Sequence, residues 1–338
     1  MAKTAPAHPL TSWATLDLAV YDSDQAAALK CIRALLRAFP GATALEFWKL
    51  QVLRSLAPPR DYARILAQTC ERHPRDVPLQ SQLAYELSVT QREHGRARRV
   101  LGPVLRSGGG PAEAMNLVSL ANTLTAEGRV DDALELTSLA AHLEDRHEGW
   151  ALTYYGAARA RGSTDEALAF LRQRFETHGR SSGDPAQTLF TALQEAGRTS
   201  DAFEVLGQAL SLRPSDGGLA LFAAESHAAC GEFDRASELL SATRARTHRA
   251  NWLRTAASVA SSRGDRTAAL GWWRELLVVE PAAVDGHQAV VSLLAAAGRS
   301  GEAVAHPRSA CERFPHHHSL QQLRAAWDRS TSRPNRLL

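Results

Sequence analysis

A glycine followed five residues later by an alanine occurs six times down this 338-residue chain: Gly128 with Ala133, Gly162 with Ala167, Gly197 with Ala202, Gly231 with Ala236, Gly264 with Ala269 and Gly298 with Ala303. The intervals between the glycines are 34, 35, 34, 33 and 34 residues, too regular for chance. A fixed period of this length marks an array of stacked units, each unable to bury its own apolar face without its neighbours. An amphipathic stretch precedes each glycine, as in "NLVSLANTLTAEG" and "VVSLLAAAG", and another follows it, as in "RVDDALELTSLAAHL" and "RTSDAFEVLGQALSL". Leucines and alanines in these stretches fall three and four apart, the spacing of one helix face. Each unit therefore reads as a helical hairpin.

The two markers have separate physical jobs. The glycine ends the first helix where the chain needs a left-handed backbone, which a residue with a Cβ adopts only at a cost. The alanine lies one turn into the second helix, where the two helices cross and only a small side chain allows close approach. Seventeen residues after three of the glycines stand Pro214, Pro281 and Pro315, which stop the second helix because proline cannot continue it.

With glycine, alanine and proline in this order on a period near 34 residues, the sequence resembles the tetratricopeptide repeat family. The pattern is clear from about 111 to 315. Stepping backwards extends it, because Pro40 and Pro74 are also 34 apart. "TALEFWKLQVLRSLAPPRDYARILAQTCERHP" reads as one earlier hairpin and "VPLQSQLAYELSVTQREHGRARRVLGPVLRS" as the next. These early units have lost the turn glycine: Ser23 and Pro58 stand near its places and Gly95 is displaced. The resemblance implies an all-α fold, a right-handed superhelical α-solenoid of about nine repeats. The expected organisation is a flexible tail at 1–9, degenerate repeats at 10–110, regular repeats at 111–316, a capping helix at 317–330 ("HSLQQLRAAWDR" at 318–329) and a tail at 331–338. Pro307, inside the last second helix, is expected to kink or break it after "GEAVAH".

Composition excludes several classes. Only Lys3, Lys30 and Lys49 are lysines, the other 36 of 39 basic residues being arginine; with abundant alanine, this points to a GC-rich bacterial genome. Formal net charge is +3, which argues against nucleic acid, since phosphate binding needs cations gathered on one face. The first residues lack a sustained apolar run, and no stretch approaches a membrane span, so the expected place is the cytoplasm without membrane insertion. Cys31, Cys70, Cys230 and Cys311 lie far apart with no paired spacing, as expected of reduced, mostly buried thiols.

Other motifs have plainer readings than the chemistry they suggest. "GRSSG" at 179–183 fits a nucleophile elbow by letters, but a helix instead of a strand is expected before it. "SGGGP" at 107–111 lacks the following Lys and Ser/Thr of a phosphate cradle and reads as a joint. "PHHHS" at 315–319 places His316, His317 and His318 in different directions on a helix, with no acidic or cysteine ligand nearby. Asp131, Asp132, Asp165, Glu166, Asp201, Asp234 and Glu302 fall just past the turn glycines, where negative charge complements the second helix's dipole. "TRARTHR" at 243–249 closes a second helix, where cations suit that end. Trp252, Trp272 and Trp273 read as packing residues. No metal, no cofactor and no catalysis are expected.

What remains is surface. The resemblance implies that the first helices line a concave groove which binds extended peptides or partner helices. Register carries Asn122, Arg159, Gln187, Thr191, Gln194, Glu225, Arg254, Ser258, Gln288 and Ser292 onto that groove. Asn122 stands where the family's carboxylate clamp keeps an asparagine, but Val118 occupies the place of the clamp's lysine. A groove with two arginines and several amides suits a peptide backbone and acidic side chains. The expected function is an adaptor that binds a protein or peptide. The alternative is a non-catalytic accessory subunit that recruits substrate to a partner enzyme, for example a transferase of surface-polysaccharide or protein modification. A ligand-sensing regulator is disfavoured, because no DNA-reading helix-turn-helix unit precedes the repeats.

Overall fold

The computed structural model describes residues 9–21, 25–106, 113–315 and 317–331, all of it helix and connection, with no strand among the described residues. The expected tail before residue 9, the 107–111 joint, Ser23, His316 and residues 332–338 lie outside them. Two compact units divide the chain, residues 1–167 and 168–338.

Unit 1 runs α1 (Pro9–Tyr21), α2 (Gln25–Ala38), α3 (Thr43–Leu56), α4 (Pro59–Arg72), α5 (Val77–Tyr85), α6 (His94–Arg106), α7 (Glu113–Ala126), α8 (Val130–Leu143) and α9 (Glu148–Arg161); the boundary falls within α10 (Thr164–His178). Consecutive helices pack together, with α5 also reaching α7. Leu50, Leu66 and Leu79, fully buried, hold α3, α4 and α5 around one apolar cluster that includes Tyr62 and Cys70. Burying one leucine contributes about 1.5–3 kcal/mol.

Unit 2 continues with α11 (Asp184–Glu195), α12 (Thr199–Leu212), α13 (Gly217–Ala229), α14 (Phe233–Thr243), α15 (Arg249–Ser262), α16 (Arg266–Val279), α17 (Val284–Ala296), α18 (Ser300–Arg313) and α19 (His318–Thr331). Helix α13 packs on both its own partner α14 and the next first helix, α15. Trp252 of α15 meets Trp272 of α16 edge to face at 5.4 Å, and its Nε1 donates to the Leu240 carbonyl at 2.9 Å. The tryptophans are thus packing residues. Helix α19 lies on α18 and α17, with Leu320 buried beside Ala310 and Cys311.

The six turns are built alike. Gly128, Gly162, Gly197, Gly231, Gly264 and Gly298 have φ of 80°, 92°, 75°, 83°, 84° and 73°. In every case the next residue's N–H reaches back to a carbonyl of the first helix, as from Arg198 to Leu193 at 2.8 Å and Arg299 to Leu294 at 2.9 Å. This closes orphan carbonyls at the helix end. A Cβ at Gly197 would meet nothing within 4 Å, so conformation alone, not space, selects glycine. Gly197→Ala is expected to cost about 1–2 kcal/mol through the left-handed backbone. Gly197→Asn should cost measurably less in the same thermal melts, and equal losses would contradict this account. The paired alanines are buried: Ala133 is 4% exposed and Ala167, Ala202, Ala236, Ala269 and Ala303 are 0%.

Acidic residues occupy the first turn of the second helices as expected, and the residue after the glycine often secures them. Arg129 holds Asp132, Arg198 holds Asp201 and Arg299 holds Glu302. Arg246 of the basic run donates to the Ala242 carbonyl at the end of α14. "GRSSG" joins α10 to α11, with a helix on either side. Cys31, Cys70 and Cys311 are buried, Cys230 is exposed, and no disulfide joins them.

Two local features depart from the sequence reading. In the pair formed by α5 and α6 a π-helical turn, Glu86–Thr90, extends α5, and Arg92 takes the left-handed conformation at φ 56°. Gly95 lies inside α6 instead. An arginine carries a conformational cost there that glycine would not. The second departure is Pro307: α18 is not broken and runs from Ser300 to Arg313 with the proline inside it. Ala303, Pro307, Ala310 and Cys311 share one face, and all are buried. Burial of that stripe offsets the backbone bond that proline cannot make, a defect of about 3 kcal/mol in an unsupported helix.

Candidate functional site: the first-helix faces

In unit 1, Asn122 of α7 is half-buried and its amide donates to the Val118 carbonyl of its own helix at 3.0 Å. Val118 is 3% exposed, so an apolar core side chain stands where a clamp would need a cation. Arg159, in the last turn of α9, is exposed. Each of these belongs to unit 1, and the other eight candidates belong to unit 2.

In unit 2, Gln187 and Gln194 of α11 are half-buried and Thr191 is exposed. The Thr191 hydroxyl donates to the Gln187 carbonyl at 2.9 Å, and Gln194 accepts from Thr199 at 3.2 Å. Glu225 is exposed on α13, Ser258 is half-buried on α15, and Gln288 and Ser292 are exposed on α17. One position recurs through both units, six residues before the turn glycine: Asn122, Gly156, Thr191, Glu225, Ser258 and Ser292. None is apolar and large, and none is fully buried.

Arg254 corrects the expectation of a groove that offers two arginines to acidic ligands. Its Nε donates to Asp285 at 2.7 Å and its Nη2 to Glu280, tying α15 to the end of α16 and the start of α17. Burial opposes its charge, yet those two hydrogen-bonded carboxylates raise its pKa overall. The guanidinium is a cross-repeat tie, so reversing its charge would juxtapose three carboxylates and disturb folding. The other first-helix arginine of unit 2, Arg249, is paired with Glu275 at 2.6 Å. Sequence reading missed these partners because Glu280 and Asp285 lie 26 and 31 residues from Arg254, beyond any local pattern.

Glu225 has a different setting. Although the side chain is open to solvent, partial desolvation against the neighbouring helix raises its carboxyl pKa, and the Thr255 hydroxyl of α15 partly counters this by hydrogen bonding. A second pair missed in the sequence is His287 of α17 and His306 of α18, whose Nδ1 and Nε2 lie 2.9 Å apart. His287 Nε2 also meets the Pro281 carbonyl at 2.9 Å. A carbonyl only accepts, so His287 carries its proton on Nε2 and takes one from His306 through Nδ1. Burial lowers the pKa of both rings, which keeps the pair neutral near pH 7.

Two open depressions mark the surface. One in unit 1, about 380 Å³, is lined by Leu134, Glu135, Ser138, Leu139, His142 and Tyr154. The other, about 360 Å³, borders the Gly231 turn and Arg263 in unit 2. Among the described residues, no group of three or more His, Cys, Asp or Glu is placed to hold a metal ion, and no helix is long and apolar enough to cross a membrane.

The geometry defines an all-helical array of repeated hairpins. Residues 193–258 match the family model described as tetratricopeptide repeat. Among solved structures, the chain is similar to a tetratricopeptide repeat protein from Parabacteroides merdae ATCC 43184, at 14% identity and TM-score 0.42, over 65% of this chain and 87% of that one. It is similar to a thermophilic protein of the same repeat class from Thermus thermophilus, at 22% identity and TM-score 0.39, over 54% of this chain and 98% of that one. It is also similar to a chain of the APC/C hetero-tetramer Cut9–Hcn1, at 14% identity and TM-score 0.38, over 87% of this chain. The match spans 58% of that longer chain. No curated protein sequence matches. The match over residues 193–258, together with the same left-handed glycine turn recurring at all six positions, makes the chain similar to the tetratricopeptide repeat family. Repeats of this family generally serve as non-catalytic scaffolds for protein–protein interaction.

Proposed function

We propose that this chain is a non-catalytic adaptor that binds a partner protein or peptide along the first-helix faces of its repeats. The observation that carries this reading is the register row six residues before each turn glycine, polar or small every time and never fully buried. A merely solvated helix face needs no such restriction, whereas a surface that receives another backbone is served by short side chains and hydrogen-bonding groups. In unit 2 the binding face is assigned to Gln187, Thr191, Gln194, Glu225, Ser258, Gln288 and Ser292. In unit 1 it is assigned to Asn122 and Arg159. Arg254 supports the face and does not read the ligand. We place the adaptor in the cytoplasm, a reading supported by four cysteines without a disulfide.

Affinity capture from the native host, followed by mass spectrometry, tests the assignment when wild type is compared with two double variants. Thr191→Arg with Ser292→Arg crowds the first-helix face and should remove the captured partner. Ser211→Arg with Ser237→Arg, at exposed positions of α12 and α14, should leave it bound. All four are surface changes expected to stay within about 0.5 kcal/mol each, and melting curves confirm folding. The opposite pattern would move the interface to the second helices.

A further inference from the structure

We propose that Glu225, with the Phe222 ring beside it on α13 and the Thr255 hydroxyl across from it on α15, is the point at which unit 2 takes a lysine or arginine side chain of an extended partner peptide. The inference rests on the partner-binding reading above and names the chemistry of the partner at one position.

Three observations carry it. First, the equivalent row position in unit 2 is a neutral hydroxyl at Thr191, Ser258 and Ser292, and an acid only at Glu225. Second, the two arginines of the first helices in this unit are both committed elsewhere, Arg254 to Asp285 and Glu280, and Arg249 to Glu275. The nearest cation in sequence to Thr255 is therefore turned towards the next repeat. Glu225 is left with a hydroxyl, a neutral donor that answers hydrogen bonding but not charge. Third, Phe222 stands three residues before Glu225, hence on the same face of the helix. Its half-buried ring is held edge to face against Phe190 at 5.3 Å. A lysine or arginine binds such a place with two parts of its side chain at once. The aliphatic stem, or the flat guanidinium, covers the aromatic ring, and the charged head meets the carboxylate.

Charge balance sharpens the choice of partner. The chain is +3 overall, so a basic peptide gains nothing from the protein's general field and must be recognised locally. An acidic peptide, by contrast, would set a carboxylate beside Glu225 with both first-helix guanidinium groups of this unit already engaged.

A random peptide library displayed on phage and selected on the full chain tests this. Recovered peptides, made synthetically, are titrated by fluorescence polarisation. The expected result is enrichment of Lys or Arg, with affinity weakened about tenfold by Glu225→Gln, the loss of one charge-assisted contact. Glu238→Gln, an exposed second-helix control, should change affinity by less than about twofold. Glu225 is exposed, so the variant's melting curve should superimpose on wild type. Peptides without basic residues, blocked by Thr191→Arg but indifferent to Glu225→Gln, would overturn this assignment and leave the first-helix face as the binding surface. Peptides indifferent to both changes, or no enrichment at all, would overturn both readings.

Discussion

Acidification from about pH 7.5 to about pH 5 is expected to lower the melting temperature of this chain through His287 and His306, before most carboxylates titrate. His287 is 6% exposed, and burial lowers its pKa, reinforced by the nearby cationic character of His317 and Arg313 and opposed by the Pro281 carbonyl and Asp285. Burial likewise lowers His306, to about 4, helped by His287 and Arg274. The sign follows from proton counting. Histidines depressed in the fold bind fewer protons there than when unfolded, so the stability they support is complete above the unfolded value near 6.5 and declines as pH falls towards about 4. Protonation of both rings leaves an N–H on each facing nitrogen, so the bond that joins α17 to α18 is lost once the pair is doubly charged. His306→Gln keeps an N–H donor near the same place but does not titrate. Its melting temperature should depend on pH more weakly than that of wild type between these limits. An unchanged slope would show that the pair does not govern acid stability. Asp216 belongs to a lower window, because the Leu219 N–H and Arg213 hold its carboxyl below the ordinary value against the effect of burial.

Ala202→Leu is expected to destabilise unit 2 by about 1–3 kcal/mol, because the added isopropyl group must enter a crossing with no free space. Ala202 is 0% exposed on α12. Ala303→Leu should cost as much, contrary to what a helix broken at Pro307 would suggest. Ala303 is also 0% exposed and packs in the cluster of Val290 and Leu294 within an unbroken α18. Ala229→Leu, at an exposed position of α13, is the control and should stay within about 0.5 kcal/mol. Thermal melts followed by circular dichroism decide the point. A much smaller loss at Ala303 than at Ala202 would restore the idea of a loosened terminal hairpin.

The turn-glycine and crossing-alanine pattern is legible in the sequence because it is enforced locally. A left-handed residue is needed wherever a first helix ends in the Schellman manner, and a small residue wherever the hairpin crosses. Each requirement returns with the period, so six copies of one signal reinforce one another. The first units lacked that redundancy. No rule from sequence would have chosen Arg92 for a left-handed turn, since a long side chain is disfavoured there, and the π turn at Glu86–Thr90 leaves no periodic trace. Pro307 misled for a related reason. Its local effect is unfavourable, while the burial that offsets it comes from neighbours in space.

The candidate face divides along the same line. Which residues fall on the first helices, and at which register, followed from the period alone. Charge did not, because the meaning of a charged side chain depends on what else has claimed it. Arg254 and Glu225 looked like two members of one mixed groove, and the fold engages the arginine with Asp285 and Glu280 while leaving the glutamate a hydroxyl. The sequence by itself determined the all-helical repeat, its turns and its close crossings, since these arise from local backbone and small-residue requirements that return with every period. Only the tertiary structure decided which ions are paired, that His287 and His306 share a proton bond, and that a proline can sit inside α18. Those outcomes depend on groups 19 to 31 residues apart, brought within a hydrogen bond by the packing of helices inside one hairpin, as for His287 and His306, or between neighbouring hairpins, as for Arg254 and Asp285.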